Sequence, residues 1–310
     1  MEIVSHSDRR VKFESSTHER TSAVRGADDA FDAEALDTAL RELREGACVG
    51  RRRPPGERAF LFERVIADTH AVGLDWNAAA CRANGLDPDG PDSGEELLAA
   101  VGKFVLLLTS YRQSLLDIGR VGRPRYPGPV RHRQGNRLSV RVMPAPLLDG
   151  VLLTGDSAEV WMEPGVDEAT MPATQATAYA DPLAHAGVNP VLGAGNVAAL
   201  APKDVVHKLI GEGRVVIVKA NAVNDHLVGY WQRALAAFVE AGVVRIVTGD
   251  ARVGKYLVHR HGADDVHITG SESTDDAGAT WSAPRTLRRV ADTVAVCHAS
   301  SFGPRDATSL

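Results

Sequence analysis

Arg214-Val-Val-Ile-Val-Lys219 and Val243-Val-Arg-Ile-Val-Thr248 are short, β-branched and almost continuously apolar. A strand with one wet face alternates apolar and polar residues, so a run without that alternation belongs to a strand buried on both sides. Pro190-Val-Leu192 upstream and Asp265-Val-His-Ile-Thr269 downstream read as strands too. Between these runs, residues 201–210, 227–240 and 252–259 read as helices, the second closing at Gly242. Strand and helix alternating at this interval predict an α/β fold: a parallel sheet covered by helices on both faces.

Towards the N-terminus the pattern is helical. Phe31, Leu36, Leu40 and Leu43 recur near the helical period, with acidic residues early and arginines late, so an amphipathic helix is expected to end at Gly46. Arg51-Arg-Arg-Pro-Pro-Gly56 interrupts the chain, because Pro54 and Pro55 cannot continue a helix. A second helix is expected over 57–84. A third opens at Ser93, where Glu96 three residues on suggests a capping box, and runs to about Ile118. Arg120 to Arg137 is rich in Arg, Pro and Gly and reads as an irregular, solvated connector. Leu138, Val140 and Val142 then alternate with polar residues, and Val151-Leu-Leu153 and Ala158-Glu-Val-Trp-Met162 follow as short strands. The expected organisation is a flexible arm (1–27), a helical region (28–119), the connector with β hairpins (120–187), the α/β region (188–276) and a tail (277–310).

Composition excludes several classes. The 310 residues carry a formal net charge of −5 and are 44% hydrophobic, an ordinary balance for a chain that packs a core. The longest apolar run, Phe104-Val-Leu-Leu-Leu108, is far below the ~18 residues that read as a membrane span. No membrane association is expected, and the N-terminal residues lack the features of a secretory leader. Cys48, Cys81 and Cys297 are odd in number and far apart, without zinc or disulfide spacing, which points to a cytoplasmic protein. His259, His261 and His267 lack a fourth ligand, so no metal is expected. The arginine-rich connector sits in an acidic chain without interleaved aromatics, so no nucleic-acid partner is expected either.

Gly193-Ala-Gly195-Asn-Val-Ala198 satisfies a loose dinucleotide fingerprint, GxGxx(G/A), between a strand and a helix. That fingerprint wants an acidic residue at the end of the next strand, and this strand ends in Lys219-Ala-Asn221. A Rossmann reductase built on these glycines is one reading; a simple tightening turn is another.

More residues are accounted for by a resemblance. Asn196 precedes Lys219 by 23 positions, Ala241-Gly-Val-Val-Arg-Ile-Val-Thr-Gly249 follows, and Gly254, Leu257, Val258, His259, Asp264 or Asp265, Val266, Thr269, Gly270 and Ser271 come in order. The stretch from Gly193 to Ser271 resembles the Rossmann-like cofactor-binding domain of the aldehyde dehydrogenase superfamily. There, an Asn in Pro-Trp-Asn-Phe-Pro stands at that spacing from the Lys of Lys-Pro-Ser-Glu. Trp161-Met-Glu-Pro-Gly165 resembles an uncommon branch of the superfamily. The resemblance implies NAD or NADP as cofactor, held by Lys219, Gly249, Gly270 and Ser271. It implies that Asn196 donates its amide to the oxygen of a small-molecule aldehyde. Ala222 stands where the family has the ribose-binding Glu, which admits NADP as readily as NAD, and Asp275 replaces a glycine of the pyrophosphate turn.

Aldehyde oxidation in the family also needs a Cys nucleophile and a Glu base, found in Gly-Gln-x-Cys-like and Leu-Glu-Leu-Gly-Gly segments. Neither segment occurs in the 310 residues, and Cys297 lies too soon after Ser271 with neighbours that do not match. The expectation is a truncated member, inactive alone, that exposes a sheet edge and can form homo- or hetero-oligomers. A non-catalytic nucleotide-binding or subunit-interaction module is the alternative of a different class.

Overall fold

The computed structural model describes residues 31–51, 53–144, 157–182, 187–259 and 264–269. Helix α1 (Ala33–Arg51) opens where the Asp32 carboxylate accepts the Ala35 N–H at 3.0 Å. Pro54 caps α2 (Pro55–Ala83) and Pro55 takes its first position, where a missing N–H is harmless. Helix α3 (Ser93–Leu97) runs through a π turn over Leu98–Gly102 into α4 (Lys103–Val121). Strands β1 (Val130–Arg133), β2 (Arg137–Met143) and β3 (Ala158–Trp161) form a small antiparallel sheet in that order.

The α/β part follows the expected alternation: β4 (Val188–Leu192), α5 (Leu200–Gly211), β5 (Val215–Lys219), α6 (Val228–Ala234), α7 (Ala236–Glu240), β6 (Val244–Val247), α8 (Ala251–His259) and β7 (His267–Ile268). The four strands pair in parallel in the order β6-β5-β4-β7. Both faces are covered. Val191, Val216, Val218 and Val244 join a core with residues of α2, α4, α5, α6 and α7, while Val188, Val215 and Ile217 face Leu36, Leu40 and Leu43 of α1 and Leu257 of α8. This two-sided burial is why the strands lack polar alternation.

Four local expectations are corrected. Helix α1 continues through Gly46 to Arg51. The glycine is there for close approach, since a Cβ on it would stand 1.9 Å from the carbonyl oxygen of Gly242. The Ser93 capping box does not form: Asp92 takes the cap position with no side-chain bond, and Glu96 accepts from Asn84 Nδ2 at 3.3 Å instead. The helix expected over 227–240 breaks into α6 and α7 at Leu235. The connector contains a strand, β1, paired from Val130 to Arg133 with β2. Val151-Leu-Leu153 lies outside the described residues.

Several of the connector's arginines are held by carboxylates. Arg125 Nε donates to Asp117 at 3.0 Å, and Arg133 forms an ion pair and hydrogen bonds with Glu159, which also accepts from Ser139 Oγ at 2.9 Å. Burial pushes the Glu159 carboxyl up, but the bonds from Arg133 and Ser139 and the charges of Arg133 and Arg131 outweigh it and hold the group below its ordinary value. A carboxylate whose value is lowered by folding stabilises the fold above its ordinary value of 4.5 and ceases to as pH falls through the lowered one. Glu159→Gln is therefore expected to cost about 1–2 kcal/mol at pH 7. In urea melts the gap from the unsubstituted chain narrows as the pH is taken towards 3; a gap independent of pH would contradict the assignment.

Candidate functional site

The carboxyl ends of β4, β5 and β6 form one edge of the parallel sheet, the edge at which open α/β sheets bind ligands. Leu192 is level with Lys219, and Lys219 with Val247. The chain leaving β4 stays beside β5 for one more residue, because Gly193 N–H donates to Lys219 O at 3.1 Å. It must be glycine, since a Cβ there would lie 2.7 Å from Ala201 Cβ on α5. Gly195 is packed as closely against Asn221, which a Cβ would meet at 3.2 Å.

The loop after β5 holds the loop after β4. Asn221 Oδ1 accepts its own turn's Val223 N–H at 3.1 Å. Asn224 is buried and reaches across, its Nδ2 donating to Ala194 O at 3.1 Å, and Trp231 Nε1 donates to Ala198 O at 3.2 Å. Asn221 behaves as the turn residue its sequence suggests, whereas the cross-loop role of Asn224 had no sequence signal. Asn224→Ala would leave a buried carbonyl unpaired, at an expected cost of about 1–2 kcal/mol in chemical denaturation. An unchanged midpoint would show that the two loops stand independently.

Of the residues singled out in the sequence, three fall on this edge. Asn196 is exposed in the loop after β4 and makes no hydrogen bond among the described residues. Lys219 ends β5 half-buried, its ammonium without a hydrogen bond among the described residues. Burial pushes its ammonium down from the ordinary lysine value, while the charges of Asp225 and Asp250 pull it back up. Gly249 follows β6 at φ +121°, a conformation L residues rarely adopt, and a Cβ on it would lie 2.6 Å from Val253 Cγ2. Gly270 and Ser271 lie outside the described residues, as does Asp275.

A buried polar group beside these was missed in the sequence. Thr269, one residue past β7, donates its hydroxyl to Asp204 Oδ2 of α5 at 2.8 Å and lies 3.1 Å from His267 Nε2. His267 Nε2 is 3.5 Å from Asp204 Oδ1. His267 thus belongs to a strand-to-helix tie. Asp204 sits 65 positions upstream of Thr269, so no local spacing marks the pair.

The described elements superpose on known enzymes. The aldehyde dehydrogenase AldC mutant from Pseudomonas syringae, complexed with NAD+ and octanal, matches with a TM-score of 0.52 at 16% identity over 81% of this chain and 41% of that one. An NAD-dependent benzaldehyde dehydrogenase from Corynebacterium glutamicum matches with 0.51 at 13% identity, over 81% of this chain and 44% of that chain. The fold is that of the aldehyde dehydrogenases. The aldehyde dehydrogenase KauB from Pseudomonas aeruginosa gives the same result, 0.51 at 16% identity over 81% and 41% of the two chains. The chain spans less than half the length of each of these aldehyde dehydrogenases. No protein-family model matches the sequence, and no curated protein matches it. Among the described residues, no helix is long and apolar enough to cross a membrane.

Proposed function

We propose that this chain carries the cofactor-binding part of an aldehyde dehydrogenase-type oxidoreductase and binds NAD or NADP at the carboxyl edge of β4–β6. The observation that carries this reading is the seat of Lys219. A half-buried ammonium stands at the end of a parallel strand, without a hydrogen bond among the described residues, one backbone bond from the Gly193–Asn196 loop. The residues present suit a dinucleotide: glycines let the loops after β4 and β6 pack tightly on α5 and α8 at the strand ends, and Lys219 has donors to spare for ribose hydroxyls. Asp225 and Asp250 oppose a further negative charge there but favour the ammonium form of the lysine.

In this reading residues 188–276 hold the cofactor, with Lys219 on the ribose, Gly249 giving the chain room at the mouth, and Gly270 and Ser271 at the pyrophosphate. The nicotinamide, when bound, supplies the hydride acceptor. Asn196 holds its amide free at the exposed side of the loop, where it can donate to an aldehyde oxygen and stabilise negative charge developing on it. The thiol and the general base belong to segments not found in these 310 residues, so the chain by itself binds cofactor without turning an aldehyde over. A soluble, cytoplasmic setting and association with other subunits go with the same reading.

Isothermal titration of NAD and of NADP against the full chain tests it. Saturable binding of at least one, with no aldehyde-dependent reduction at 340 nm, is expected. Absence of binding at millimolar dinucleotide would remove the reading, and turnover abolished by Cys297→Ala would replace it with a catalytic one.

A further inference from the structure

The strand order β6-β5-β4-β7 reverses at one place. The chain leaves β4 through α5, on the face of the sheet that carries α2 and α4, and moves outward to β5 and β6. It returns through α8, on the face that carries α1, to pair β7 on the other side of β4. The two connections part between β4 and β7, and in open α/β sheets a ligand sits outside the carboxyl ends of the strands at such a point. Leu192 of β4 is level there with Lys219 on one side and Ile268 on the other.

Little backbone holds β7 in that place. It is two residues long, and among the described residues it pairs with β4 alone, followed by a long bond from Thr269 N–H to Leu192 O at 3.4 Å. Side chains supply what the ladder lacks. Asp204 of α5 accepts the Thr269 hydroxyl at 2.8 Å, and His267 Nε2 lies 3.1 Å from that hydroxyl and 3.5 Å from the other oxygen of the carboxylate. Because the one hydroxyl proton goes to Asp204, the imidazole must be the donor to Thr269 Oγ1, which places a ring proton on Nε2. His267 Nδ1 is buried without a partner among the described residues, so a proton there would lack an acceptor. Carboxylate, hydroxyl and imidazole thus fix the end of β7 against α5. Three apolar side chains could fill the same space; what the bonded network adds is a single position.

We infer that Asp204 is a positioning residue for the cofactor: through Thr269 and His267 it sets the carboxyl end of β7 beside the Gly193–Asn196 loop. The inference rests on the cofactor reading and adds β7 to the edge that binds. Titration of the full chain with NAD and NADP, well below its melting temperature, tests it. Thr269→Val, which keeps the shape and loses the hydroxyl, is expected to weaken the tighter dinucleotide about tenfold, and Thr269→Ser to stay within about twofold of the unsubstituted chain. Asp204→Ala should lose as much as Thr269→Val. The double variant should lose no more than either, whereas independent effects would multiply to about a hundredfold. Asp204→Asn keeps an acceptor for the hydroxyl and should retain most of the affinity, so it can be set against Asp204→Ala if circular dichroism shows Thr269→Val unfolded. A network that only stabilises the fold would lower the melting temperature and leave affinity unchanged, which would overturn the proposal, as would multiplying effects. An unsubstituted chain that binds neither dinucleotide would remove the cofactor reading and this inference together. A chain that binds, indifferent to Thr269→Val and Asp204→Ala, would keep the reading and remove only the role of Asp204.

Discussion

Gly46→Ala is expected to destabilise the chain by about 3 kcal/mol or more, against the sign that helix propensity gives. In an exposed helix interior alanine is better than glycine by about 1 kcal/mol, and Gly46 lies inside α1. Its new methyl carbon, however, would fall 1.9 Å from Gly242 O and 2.8 Å from the carbonyl carbon behind it. Neither atom can yield cheaply. Gly242 N–H is bound to Val239 O at 3.0 Å, Val243 N–H to Phe238 O at 3.1 Å, and Val243 O accepts from Val216 N–H at 3.0 Å, so the turn is tied to α7 on one side and β5 on the other. The alternative is for α1 to withdraw by more than an ångström, opening the packing of Leu40, Leu43 and Ala47 on the sheet. Overpacking of this kind costs 1–3 kcal/mol where side chains can adjust and more where only backbone is available to move. Gly229→Ala supplies the contrast, since nothing lies within 4 Å of its added carbon in α6 and it should be neutral or stabilising by up to about 1 kcal/mol. Urea melts of the two variants decide the matter: a Gly46→Ala chain as stable as Gly229→Ala would mean that α1 does not pack on the Gly242 turn.

Gly46 also shows where reading a sequence stops. A glycine at the end of an apolar period resembles a helix stop, and nothing nearby along the chain signals a carbonyl almost two hundred residues away. What was legible is local or periodic. The strands β5 and β6 were visible because burial on both faces removes polar alternation, and α5 and α8 because each fills the interval between two such runs. The ion pairs of the connector's arginines carried no sequence signal, because Glu159 and Asp117, which hold Arg133 and Arg125, are far off in sequence or on another element. The spacing of Asn196 and Lys219 came from the family resemblance, and the two residues lie in the loop after β4 and at the end of β5. The Asn224 bond across two loops and the Asp204–Thr269 tie were not legible, being contacts between units whose partners carry no periodic mark.

Lys219→Met is expected to weaken the binding of NAD or NADP by about tenfold or more while leaving the fold intact, since a charged group donating to ligand oxygens contributes about 1.5–3 kcal/mol. Two features separate this from a general loss of stability. Methionine keeps most of the buried stem, and the ammonium has no hydrogen-bond partner among the described residues for its removal to orphan. What changes is the positive charge at the end of β5, which burial disfavours and the carboxylates of Asp225 and Asp250 favour. The loss should accordingly be larger for a cofactor with a 2′-phosphate than for one without. Lys219→Arg should recover part of the affinity, its charge kept and its geometry altered. Under the proposed role, in which the Asn196 amide serves an aldehyde oxygen and not the ribose, Asn196→Ala should leave dinucleotide affinity within about twofold. Titration of the four chains with both dinucleotides, alongside thermal melts, distinguishes these outcomes. If Lys219→Met binds as the unsubstituted chain does, the ammonium at the end of β5 is a surface lysine and the cofactor edge must be sought elsewhere. If Asn196→Ala loses affinity and Lys219→Met does not, the glycine loop after β4 carries the binding, as it would in a Rossmann reductase.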